Sequence, residues 1–197
     1  MNPTTRDFLN LAVIATPLPQ FIAECHTGPP DRFAPQETNF CLPSQPYSES
    51  PEVPPMLLWA PKSNPDLTAF MPHVQSGGYF VVNAAYLNHG HRVVQVRITS
   101  ASEEYPINEF ISFSSGKMQR IVRAMRDSPR WQFYAEGEVQ PYENVSAYTA
   151  RKIKDRLVRE TVLQYLSAWG APVEEAAFWL PAGKCFTFAP RQLPYDA

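Results

Sequence analysis

Residues 79–99 read YFVVNAAYLNHGHRVVQVRIT, and the way this stretch folds sets the class of the protein. Val94, Val96 and Ile98 alternate with Gln95 and Arg97, the period-two pattern of a half-buried strand. Tyr79–Leu87 is its expected partner. Between them Asn88-His89-Gly90 carries the glycine that a tight hairpin loop needs for positive φ. The stretch therefore predicts a β-hairpin and, with it, an antiparallel sheet.

Downstream, Glu109–Phe113 reads as a third strand. Ser114 and Ser115 offer an N-cap, and Met118, Ile121, Val122 and Met125 recur at i, i+3, i+4 and i+7, which predicts a helix over Lys117–Arg126. Trp131–Ala135 is a fourth strand. Asn144 is the expected cap of a long helix, Val145–Trp169, closed by Gly170 and Pro172. Ala176–Leu180 and Lys184–Ala189 form a last hairpin. The expected class is α+β, a mainly antiparallel sheet with two principal helices in the order β-β-β-α-β-α-β-β.

Upstream the composition changes. Thirteen of the 21 prolines fall in the first 65 residues, and such a density disfavours helices and central strands. Residues 1–66 are therefore expected to be a proline-rich N-terminal arm packed on an α+β domain at 67–197. Within it, Arg6–Ala15 reads as a short helix and Met56–Ala60 as an edge strand. Phe33, Phe40, Tyr47 and Trp59 are the side chains expected to pin the arm by burial.

At 197 residues, 44% apolar and 18% charged, the chain suits one globular domain with an extension. The net charge of −2 is unevenly spread, acidic in residues 1–110 and basic beyond. Cys25, Cys41 and Cys185 make an odd set without CxxC spacing, so neither a disulfide framework nor a zinc ribbon is expected. No stretch approaches the length of a membrane span, and a soluble, cytoplasmic protein is the expectation.

No phosphate loop, GxSxG elbow or HExxH motif occurs, and no family signature is legible. The candidates for catalysis are His89 and His91 at the expected hairpin tip, although polar residues on an exposed turn need no further reason. No metal site and no cofactor is expected. The candidate binding residues are Arg120, Arg123, Trp131, Arg151 and Arg156, arginines on the two basic helices beside an aromatic. The reading they support is a non-catalytic protein-binding module of inhibitor, immunity or adaptor type. Its partner is a protein, with an acidic surface the natural complement and a second copy of the chain also admissible. The alternatives are a small hydrolase or nuclease using the two histidines, and a nucleic-acid-associated protein using the basic helices. A sequence pI near 6.1 weighs against nucleic acid.

Overall fold

The strand at the centre of the molecule lies where the sequence predicts a helix. The computed structural model describes residues 8–26, 35–42, 56–72 and 79–188, and in it Phe8–Ile14 (β1) is hydrogen-bonded on both sides. Leu9, Leu11 and Val13 enter the apolar cluster on one face, Ala12 and Ile14 the cluster on the other. A strand buried on both faces shows no alternation, and seven apolar-rich residues are too few to tell it from a helix turn.

Around β1 the described residues form a sheet of nine strands, every pair antiparallel. The others are Pro35–Thr38 (β2), Met56–Trp59 (β3), Thr68–Pro72 (β4), Val93–Thr99 (β5), Ile107–Ser114 (β6), Lys117–Asp127 (β7), Arg130–Gly137 (β8) and Cys185–Phe188 (β9). Their spatial order is β2-β9-β3-β4-β1-β5-β6-β7-β8. The first 66 residues thus supply strands to the same sheet as the rest. Met56–Trp59 is an interior strand, paired with both β4 and β9, and not an edge. Phe33 and Tyr47 lie outside the described residues. Phe40 packs edge-on against Trp59 at 5.7 Å between ring centroids.

Several local expectations change for identifiable reasons. Residues 117–127 are a strand because Ser115 and Gly116, at φ of 51° and 78°, make a two-residue hairpin turn where a helix cap was expected. The run Ile121-Val122 satisfies strand and helix periods equally. Tyr79–Leu87 is helical: Tyr79–Asn83 (α2) widens into a π-turn over Ala84–Asn88, and positive-φ Gly90 follows it. The long helix shortens to Arg159–Trp169 (α3), preceded by 3₁₀ turns at Val145–Thr149 and Ile153–Asp155. Extended backbone at Val158 separates them. Gly170 ends α3 in the left-handed conformation, as the sequence predicts. Ala176–Trp179 is a 3₁₀ turn, leaving β9 without a hairpin partner there.

The two faces of the sheet are covered unequally. One carries the larger core, where Val162, Leu163, Tyr165 and Leu166 of α3 meet Leu11, Val96, Phe110 and Val122. Trp59 is its hub, fully buried, with its indole N–H donating to the Phe178 carbonyl at 2.9 Å. On the other face Leu18–His26 (α1) and α2 cover β1, β3, β4, β9 and the start of β5. That cluster takes Phe113 from β6 and nothing from β7 or β8. Trp59→Ala is expected to lower stability by about 3–5 kcal/mol, read as a reduced urea midpoint at unchanged slope.

Candidate functional site

The five candidate binding residues do not share a surface. In a strand, residues three apart face opposite ways, so Arg120 and Arg123 are separated by the sheet. Arg120 faces the larger core and is 4% exposed. Trp131 and Phe133 lie on the same side, and the Arg156 guanidinium sits 5.7 Å over the Phe133 ring while its Nε–H donates to the Ala150 carbonyl. Arg151 is exposed on the loop between the 3₁₀ turns.

Arg120 is spoken for. Its Nε–H and outer N–H donate to the Glu143 carboxylate at 2.9 and 2.7 Å, and another N–H donates to the Gly137 carbonyl at 3.1 Å. The Gln140 N–H and the Tyr148 hydroxyl also donate to Glu143, at 2.8 and 2.7 Å. Because Tyr148 gives its proton to the carboxylate, Tyr165 donates to Tyr148 at 3.0 Å, and the Asn144 N–H donates to Tyr165 at 2.8 Å. Burial, with the neighbouring tyrosine and carboxylate, pushes the Tyr148 hydroxyl well above its ordinary range, so it remains a donor. Every polar atom of this buried chain has a partner, and its role is to fasten residues 137–149 to the sheet.

Arg123 stands on the sparsely covered face, in a cross-strand row. Asn10, Arg97, Glu109, Arg123 and Tyr134 are directly opposed, one to the next, on β1, β5, β6, β7 and β8. The Glu109 side chain is 4% exposed and held from both sides, by Arg97 at 3.3 Å and by Arg123 through Nε and an outer nitrogen. Two guanidiniums share one carboxylate, so the row has an excess positive charge. The Arg97 and Arg123 side chains are 37% and 31% exposed, and Tyr134 is 48% exposed. Asn10 Oδ1 and Arg97 Nε have no hydrogen-bond partner. Beside the row lie Met118, which opposes Phe113, and Tyr86, stacked on Phe113 at 4.4 Å. Sequence reading missed Arg97, Glu109 and Tyr134 as site residues. Once 117–127 is a strand, their common parity is the signal that unites them.

His89 and His91 are not at a hairpin tip but follow the π-turn, where α1 ends beside them. His91 Nε2 donates to Glu24 Oε2 at 2.6 Å, and the two imidazoles stack at 6.0 Å. Burial raises the Glu24 carboxyl, but hydrogen bonds from His91 and Gln20 and the charge of both imidazoles outweigh it and hold it below its ordinary range. A carboxylate that orients an imidazole is half of a catalytic arrangement. The adjacent Cys25 does not complete it, because burial and Glu24 push its thiol up to about 11. Among the described residues no three His, Cys, Asp or Glu side chains converge to hold a metal ion.

Two outcomes follow from this geometry. Glu143→Ala strands a buried guanidinium and is expected to cost about 3–5 kcal/mol in urea unfolding, while the Arg120→Met, Glu143→Leu double variant recovers most of that loss. Glu24, with its folded-state pKa depressed, contributes stability that is complete above its ordinary value of 4.5 and lost as pH falls through the lower folded value. Thermal melts between about pH 6 and pH 3 should show the advantage of wild type over Glu24→Gln disappearing at the acid end.

No protein-family model, no curated protein and no solved structure matches the chain, so the reading of its function rests on the geometry above.

Proposed function

We propose that the chain is a non-catalytic protein-binding module, of inhibitor, immunity or adaptor type, whose contact surface is the open face of β6, β7 and β8 with Arg97 beside them. The observation that carries this reading is the Arg97–Glu109–Arg123–Tyr134 row. It presents two half-exposed arginines and a tyrosine, residue types that dominate interface energetics, on rigid strands without a covering helix among the described residues. The shared carboxylate preorganises both guanidiniums, so little side-chain entropy remains to be lost when a partner docks. Its surplus positive charge favours an acidic partner. Met118 and the Tyr86–Phe113 stack add apolar area at the margin of the same face.

This assignment narrows the candidate residues. Arg123 stays in the proposed contact, joined by Arg97 and Tyr134, whereas Arg120, Trp131 and Arg156 are read as parts of the fold. Nucleic acid is disfavoured because the described cations are divided: the segment carrying Arg151, Lys152 and Lys154 continues to Arg156, which lies over Phe133 on the opposite face of the sheet from Arg123. The reading needs no cofactor. The cysteines Cys25, Cys41 and Cys185 are all free, in keeping with the cytosol as its place of action, and no helix among the described residues is long and apolar enough to cross a membrane. A hydrolase working through His91 is a second reading, and the Glu24 contact that orients its imidazole is the observation in its favour.

Capture of tagged protein from its native cell, followed by mass spectrometry, tests the module. Wild type and Arg151→Glu should recover the same protein in stoichiometric amount, while Tyr134→Ala loses it at unchanged thermal stability and Arg123→Gln, whose amide can still donate to Glu109, loses it with the fold intact by circular dichroism. Truncation of a true anchor corresponds to about 2 kcal/mol or more, roughly thirtyfold in affinity. Equal recovery by all four would remove the open face from consideration. Recovery of nothing, together with a turnover abolished by His91→Ala, would replace the module with the enzyme.

A further inference from the structure

The two edges of the sheet are built differently. β2 has four residues, begins at Pro35, and carries a Glu37 paired with Lys184 at 2.7 Å. Short length, proline and charge are the devices by which proteins keep an edge from recruiting another strand. β8, at the opposite edge, has eight residues in unbroken register with β7 from Arg130 to Gly137. It contains no proline, lysine or bulge, and among the described residues nothing pairs with its outer side. Such an edge offers a row of backbone donors and acceptors to an incoming strand.

Its sequence suits itself. In an antiparallel pair related by a two-fold axis normal to the sheet, opposed residues must lie on the same face, so the axis passes midway between one residue and its own copy. With the axis at Phe133, Arg130 opposes Glu136 at both ends of the pair, Gln132 opposes Tyr134, and Trp131 opposes Ala135. Arg130 and Glu136 are both exposed, and neither is in an ion pair among the described residues. Two opposite-charge pairs therefore form at the ends of a strand whose centre is aromatic.

We infer that β8 pairs with β8 of a second copy of this chain, centred on Phe133, making a dimer with one continuous sheet. The same symmetry sets the open faces of the two copies side by side. This inference goes beyond the module reading and does not depend on it, since the dimer requires no other partner.

Charge reversal tests it in the full chain by sedimentation velocity from about 1 to 100 µM, the range in which dissociation constants of modest interfaces fall. Wild type should be dimeric at the upper end. Arg130→Glu and Glu136→Arg should each weaken the dimer by about tenfold or more, because like charges then face each other twice, and the double reversal should restore it. Both sites are exposed, so circular dichroism should show every variant folded. A monomeric wild type throughout the range would overturn the inference, as would a dimer indifferent to both single reversals. A double reversal that stays monomeric, or a Glu136→Arg variant that dimerises like wild type, would overturn the register.

Discussion

A single saturated carboxylate holds the larger half of the core in place. Glu143 sits on an irregular segment with no ladder of its own, yet it accepts from Arg120, Gln140 and Tyr148, and Tyr148 leads on to Tyr165 of α3. The charge is thus tied at once to the sheet, to the loop that follows β8 and to the helix lying over them. Buried ion pairs seldom add net stability over an apolar filling, but their geometric demands are strict. Here those demands fix how residues 137–149 cross the sheet, and so where α3 sets down Val162, Leu163 and Leu166.

The arrangement also separates two kinds of arginine that look alike in sequence. Arg120 and Arg123 lie three residues apart, each beside a glutamate, on the same strand. One is enclosed by Tyr148 and a loop, and its guanidinium nitrogens are bonded to Glu143 and the Gly137 carbonyl. The other is held by Glu109 at a face that no described helix covers, where a guanidinium keeps part of its surface in water. The difference comes from the parity of a strand and the placement of α1 and α2 over only one half of the sheet.

Much of the sheet was legible in the chain, and the failures have physical causes. Gln95 and Arg97 alternating with valine and isoleucine identified β5, and β6 and β8 were readable from similarly short runs. β1 was hidden because both of its faces are buried, and β7 because Ile121, Val122 and Met125 suit either period. The Ser115-Gly116 step was the discriminating signal, since two successive positive φ values belong to a hairpin and not to a helix cap. The proline-rich beginning was legible in composition but misleading about role, because its described prolines fall between strands or at their ends, as Pro35 in β2 and Pro72 in β4 do, and not in strand interiors. The site was less legible than the fold. Glu24 and His91 are 67 residues apart in the chain, Arg120 and Glu143 are 23 apart, and no local pattern announces either pair.

The strand order carries a consequence for the order of events at synthesis. β5 to β8 form an uninterrupted meander of neighbours and can assemble from local contacts as soon as they emerge. The other half of the sheet cannot, because β9, made last, inserts between β2 and β3, made long before it. Until Phe188 has left the ribosome, β3 exposes an apolar edge of Met56, Leu57, Leu58 and Trp59 with one neighbour missing. At a synthesis rate of about 5–20 residues per second, that edge waits for roughly 6 to 26 seconds. In that interval the unpaired side of β3 is open to pairing with another strand.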